Sequence, residues 1–151
     1  LRVIEAIQAE WPAGNPLFMR LSCTDWAPGG NQPADAAIFG RIFRDHGVDL
    51  IDCSSGGVVS VRPPVSPGYQ VPFAEQVRTE AEVPTAAVGM ITRPRQADEI
   101  LSEGKADLIA LGRALLRAAH WPRYAAQALG ESLAWPDQYR SVREYPVFPE
   151  I

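Results

Sequence analysis

The sequence predicts a parallel α/β fold assembled from four consecutive βα units, and three observations carry that expectation. Short apolar runs open near Leu17, Val48, Thr85 and Asp107, and each leads into a segment with apolar residues at helical spacing. Two of these runs, Thr85 to Val88 and Asp107 to Leu111, end in glycines, Gly89 and Gly112. A helical pattern over Leu1 to Trp11 precedes the first run and begins with no Ser, Thr, Asp or Asn to cap it. A complete (β/α)8 TIM barrel needs roughly 250 residues, and the chain has 151. Four units make either half a barrel or a small open doubly wound sheet. The uncapped opening helix favours the half-barrel, with residues 1–129 as the barrel part and 130–151 as a tail.

The elements follow in order. In Leu1 to Trp11, Val3, Ile4 and Ile7 share a face. Leu17 to Cys23 is a strand with Arg20 in its middle. A cation inside an apolar strand requires a partner, either a carboxylate of this chain or a ligand with an electron-rich edge. Ala34 to His46 is a helix closed by Gly47, with Ala37, Ile38, Ile42 and Phe43 as its expected apolar face. Val48 to Cys53 is a strand that runs into Ser54, Ser55 and Gly56, a small hydroxyl-rich turn that can cradle a phosphate or simply turn a corner. The proline-rich loop Val58 to Gln70, with Tyr69, has the length of a lid or site wall. Short helices follow over Val71 to Glu80 and Pro94 to Glu103. The last helix, Ala114 to Leu129, contains Pro122, which bends or splits it. The tail beyond Gly130 carries Trp135, Tyr139, Tyr145 and Phe148 and reads as a docking segment, onto this chain or a neighbour.

Composition narrows the functions. The content of 46% hydrophobic residues supports one core. A net charge of −4 with scattered basic residues gives no nucleic-acid or membrane-surface face. No apolar run is long enough to span a bilayer and the opening residues lack the form of a signal peptide, so a cytoplasmic location is the default expectation. Cys23 and Cys53 have no CxxC or CxxH partner, and His46 and His120 are the only histidines. No metal constellation can be built from these, and two buried thiols are expected instead.

Both glycine-ended strands put Gly89 and Gly112 at carboxyl ends, where parallel sheets and barrels keep ligands. Glycine lets backbone N–H groups approach an anion closely, and Arg113 adds a charged fork. The two turns are either a phosphate cradle or ordinary tight βα connections.

Taken together, Phe18 to Ser22, Gly47 to Gly56, Pro67 to Gln70, Val88 to Thr92 and Ala106 to Arg113 resemble, in order, the Old Yellow Enzyme family of flavin-dependent ene-reductases. The likeness is to its thermophilic-like subgroup, which includes bacterial xenobiotic reductases. The resemblance implies a (β/α)8 barrel with FMN at its carboxyl end, the chain supplying roughly strands 5 to 8. It implies that Arg20 lies at the flavin pyrimidine edge, that Gly89, Met90, Gly112 and Arg113 bind the phosphate, and that Ser54 and Ser55 line the cavity. It further implies hydride transfer from NAD(P)H through FMN to an activated C=C bond. The catalytic residues belong to the first half of the barrel, so none is assigned here. Tyr69 and Arg140 are the expected substrate-side residues, with Arg143 as the alternative to Arg140 in reaching a neighbouring subunit. The implied partners are an amino-terminal barrel half, as a separate or cleaved chain, and further copies in a homo-oligomer. The competing expectation is a stand-alone parallel α/β module that binds a phosphorylated ligand without catalysis.

Overall fold

The computed structural model describes residues 1–142. Helix α1 (Arg2–Glu10) leads into strand β1 (Phe18–Ser22), helix α2 (Pro33–Asp45), β2 (Leu50–Ser54), α3 (Val71–Ala81), β3 (Thr85–Ala87), α4 (Pro94–Ser102), β4 (Leu108–Ile109) and helices α5 (Arg113–Arg117) and α6 (Trp121–Ala128). The break between α5 and α6 falls where Pro122 starts a new helix at its first turn, so the proline splits the expected single helix.

All strands are parallel and their spatial order is β1-β2-β3-β4. That order decides the architecture. A doubly wound sheet reverses its strand order and carries helices on both faces, whereas a barrel adds strands sequentially and keeps its helices outside. Met19, Ile51, Cys53, Thr85 and Ala87 face the helices and join the core. The opposite face, with Phe18 and Leu108 exposed, carries no helix among the described residues. Four βα units with one covered face are half of a (β/α)8 barrel.

Small residues set how closely the helices pack. Helix α2 opens with a capping box between Gln32 and Asp35 and with Pro33 in its first turn, and Gly47 ends it with φ of +81°. Its buried residues are Ala36, Ala37 and Gly40. A methyl group at Gly40 would stand 3.0 Å from Val77 Cγ1 and 3.1 Å from Ala81 Cβ. This approach to α3 turns the buried stripe away from the expected one: Ile38 and Ile42 are exposed, and only Ala37 and the partly buried Phe43 of the expected face pack inward. Likewise α1 buries Ile4 alone, with Val3 and Ile7 exposed. A barrel helix buries only the narrow stripe that meets the sheet and its flanking helices.

A repeated device aligns the strand starts. Asp49 donates its backbone N–H to the Leu17 carbonyl, and its Oδ2 accepts the Leu17 N–H at 2.7 Å. Asp107 does the same with Thr85, whose N–H it accepts at 2.9 Å, and also takes the Arg78 Nε–H at 3.0 Å. Both aspartates stand before Leu-Ile, a short internal repeat (Asp49-Leu50-Ile51 and Asp107-Leu108-Ile109) that fixes the register of neighbouring strands. Thr85 is fully buried. Replacing Asp107 by Ala therefore leaves a buried N–H without an acceptor and is expected to cost about 1–3 kcal/mol, measured by denaturant unfolding; Asp107→Asn, which keeps an acceptor, costs less.

Cys23 and Cys53 are free thiols, both buried. The neighbouring Cys23 thiol, and then burial, push the Cys53 thiol well above the usual range, so it stays protonated in the folded chain. In the unfolded chain it ionises near pH 8.5. The unfolded state then binds fewer protons than the folded state, and stability falls as pH rises past that value. Stability is expected to be lower at about pH 9.5 than at about pH 7.5 on account of Cys53, and Cys53→Ala should reduce that loss in guanidinium unfolding curves.

Candidate functional site

The open face of the sheet presents one cross-strand row in register: Arg20, Asp52, Ala86 and Leu108. Arg20 Nη1 donates to Asp52 Oδ2 at 2.6 Å. The side chain of Arg20 is 59% exposed and that of Asp52 22%. The expectation of an embedded cation is corrected here. Arg20 projects from the helix-free face, so the strand position does not bury it, and a carboxylate of this chain supplies the partner that its place in an apolar strand called for. Among the described residues no other side chain pairs with it, which leaves one edge of the guanidinium fork open. Asp52 Oδ1 is buried and has no hydrogen-bond partner among the described residues.

The carboxyl ends of β2 and β3 are tied together by Gln70, which closes the Pro67 to Gln70 stretch but was given no role from sequence. Ser55 Oγ donates to Gln70 Oε1 at 2.7 Å, and Gln70 Nε2 donates to the Val88 carbonyl at 3.3 Å. The Gly68 N–H reaches the Gly89 carbonyl at 2.9 Å. The end of the long loop is thus pinned to the β3 turn. Gly89, with φ of +117°, permits this: a Cβ there would lie 2.9 Å from Gln70 Nε2 and 3.1 Å from the Tyr69 ring. Met90 follows in the left-handed region at φ of +50° and is 40% exposed. Gln96 of α4 supports the turn, donating to the Met90 carbonyl at 3.3 Å and accepting the Thr92 N–H at 3.1 Å. Signals for Gln70 and Gln96 were slight, since a glutamine has no motif of its own; position next to Tyr69, in a loop returning to a glycine turn, was the available clue.

The hydroxyls of Ser54 and Ser55 are engaged inside the chain. Ser54 Oγ donates to the Leu21 carbonyl at 3.3 Å and Ser55 to Gln70. Gly112 is different from Gly89. A Cβ at Gly112 meets nothing within 4 Å, and both Gly112 and Arg113 are exposed at the carboxyl end of β4. The structure therefore groups Ser54, Ser55, Tyr69, Gly89 and Met90 around two adjacent strand ends. Arg20 stands on one outer strand, and Gly112 with Arg113 follows the other. Three inter-strand spacings, about 14 Å, separate those outer strands.

A cleft of about 400 Å³ opens between the β1–α2 loop and the start of α3, against Trp26, Pro33 and Phe73. None of the sequence-nominated site residues lines it. The tail begins by docking on this chain: Arg123 stacks over Trp135 at 4.1 Å and donates to the carbonyls of Leu133 and Ala134. Arg140 falls in a 3-10 turn over Asp137–Val142. Its side chain, together with Arg143, Tyr145 and Phe148, lies outside the described residues.

Residues 1–131 match the family model described as the NADH:flavin oxidoreductase / NADH oxidase family. The chain belongs to this family. The chain is 49% identical over 137 residues to the NADPH dehydrogenases of Halalkalibacterium halodurans and Geobacillus thermodenitrificans, and 47% identical to that of Listeria innocua. Each match covers 91% of this chain and 40% of the relative. The chain thus spans well under half the length of these curated relatives. Among solved structures, it superposes on the N-acetylmannosamine-6-phosphate 2-epimerase from Clostridium perfringens with a TM-score of 0.52 at 16% identity, covering 84% of this chain and 48% of that one. That likeness concerns the fold alone.

Within the family, the residues present suit a phosphorylated flavin. The Gly89 turn packed against Tyr69 and Gln70, an open glycine turn at Gly112 beside the exposed Arg113, and a guanidinium with an open edge at Arg20 belong to one parallel sheet. No helix among the described residues is long and apolar enough to cross a membrane.

Proposed function

We propose that this chain is the FMN-binding half of an NAD(P)H-dependent flavin oxidoreductase. The observation that carries the reading is the placing of Arg20 and the Gly89 and Gly112 turns on one parallel sheet of a family member. Arg20 would donate from its open edge to the pyrimidine side of the isoalloxazine, and backbone N–H groups of the two turns, with Arg113, would hold the phosphate. Ser54 and Ser55, committed to internal bonds, would shape the cavity wall. Bound FMN supplies hydride acceptance from NAD(P)H and hydride donation to an activated C=C bond of an α,β-unsaturated carbonyl or related xenobiotic. A positive charge at the pyrimidine edge favours the anionic reduced ring, which is the contribution of this half to the chemistry.

The uncovered face, with Phe18 and Leu108 exposed, supports a barrel completed by an amino-terminal half carrying the substrate-holding groups. Tyr69, held against Gly89, would border the substrate, and Arg140 or Arg143 would reach into the site of a second copy within a cytoplasmic homo-oligomer. The test mixes this chain with the part of the Geobacillus NADPH dehydrogenase that its match leaves uncovered, together with FMN. The expected result is a yellow complex that oxidises NADPH when given a 2-enone. A colourless mixture that leaves FMN free on gel filtration contradicts the reading.

A further inference from the structure

Arg20 and Asp52 occupy one registered cross-strand pair on the helix-free face, and their exposure is unequal: Asp52 sits deeper than the cation it binds. The contact at 2.6 Å uses one nitrogen of the fork, Nη1, and one oxygen, Oδ2. The other oxygen, Oδ1, is buried with no partner among the described residues. The row continues with Ala86 and Leu108, so no second polar side chain in it shares the load. A half-buried carboxylate with one unsatisfied oxygen is costly unless its charge is used. It has two effects on Arg20. It fixes the orientation of a side chain that otherwise has four free torsions, and it cancels part of the positive field that Arg20 projects from its open edge.

We propose that Asp52 is a positioning residue that sets the redox poise of the flavin through Arg20. This rests on the FMN reading above. The carboxylate keeps the guanidinium edge aimed at the ring while holding back its preference for the reduced, anionic form. A neutral acceptor at the same place preserves aim and releases the full charge.

The experiment is a spectroelectrochemical titration of the FMN-loaded barrel, made by combining this chain with the uncovered part of the Geobacillus relative, as wild type, Asp52→Asn and Asp52→Ala. Asp52→Asn is expected to raise the preference for reduced over oxidised flavin about tenfold, a midpoint about 30 mV more positive for a two-electron couple, with FMN affinity changed less than threefold. Asp52→Ala, which also loses the orienting bond, is expected to bind FMN about tenfold more weakly. Asp52→Ser, a second neutral variant, should shift the midpoint in the same direction as Asp52→Asn and takes its place if that variant does not fold. Neutral variants that keep the wild-type midpoint, or lower it, while the wild-type barrel binds FMN overturn this inference alone. A wild-type barrel that takes up no FMN overturns the flavin reading and this inference with it.

Discussion

Replacing Gly89 by alanine is expected to destabilise the chain by about 2–6 kcal/mol and to abolish FMN retention in the completed barrel. Two costs add. At φ of +117° a side chain is strained, at roughly 1–3 kcal/mol, and the new methyl would press on Gln70 Nε2 at 2.9 Å, Tyr69 Cε1 at 3.1 Å and Gln70 Cβ at 3.2 Å. Relief requires either the loop end or the β3 turn to move, and overpacking of this kind costs about 1–3 kcal/mol. Gln70 is 4% exposed and links Ser55 to Val88, so its displacement loosens the carboxyl ends of two strands at once. Gly112→Ala is the control. Its added methyl meets nothing within 4 Å, so unfolding should be nearly unchanged, and any loss of FMN affinity would report crowding of the ligand instead of the fold. Denaturant unfolding and FMN titration of both variants check the contrast.

The second large effect is on the cofactor. Arg20→Ala removes a charge-assisted hydrogen bond from the proposed pyrimidine contact, and such bonds contribute about 1.5–3 kcal/mol, or roughly 10- to 150-fold in affinity. It also leaves Asp52 without its cation on the open face. Arg20→Lys keeps the charge and gives up the fork. Because one nitrogen is already committed to Asp52, a single ammonium cannot serve both partners with the same geometry, and it should recover only part of the affinity. Fluorescence titration of FMN into the three proteins separates these outcomes.

Much of the fold was legible because hydrophobic period and glycine position speak about local structure. Gly47, Gly89 and Gly104 each mark the end of an element in the chain as in the sequence, and all have positive φ. Pro122 split the last helix for the ordinary reason that proline suits a first turn and not an interior. The helix faces were less legible. Ile38 and Ile42 follow helical spacing, yet Gly40 lets α2 approach α3 so closely that Ala36, Ala37 and Gly40 take the buried stripe. A glycine in a helix looks like a weakness until its neighbour across the interface is known.

The candidate site was legible in its proposed members and not in its wiring. Arg20, Gly89 and Gly112 were singled out by residue type and position. Their partners Asp52 and Gln70 were not, since pairing across β1 and β2 depends on register, which no local pattern states. The burial of Arg20 was misread for the same reason. Alternation along a strand gives two faces, and only the sheet's sequential order, with its helices on one side, shows that Arg20 stands on the uncovered one.

The most direct measurement compares the affinities of FMN and riboflavin for the completed barrel in wild type, Arg20→Ala and Arg113→Ala. If the two arginines grip opposite ends of one flavin, Arg113→Ala reduces the advantage of FMN over riboflavin and leaves riboflavin binding unchanged, while Arg20→Ala weakens both ligands by the same factor. Equal losses of both ligands in Arg113→Ala, or no loss in Arg20→Ala, would contradict a single cofactor spanning β1 to β4.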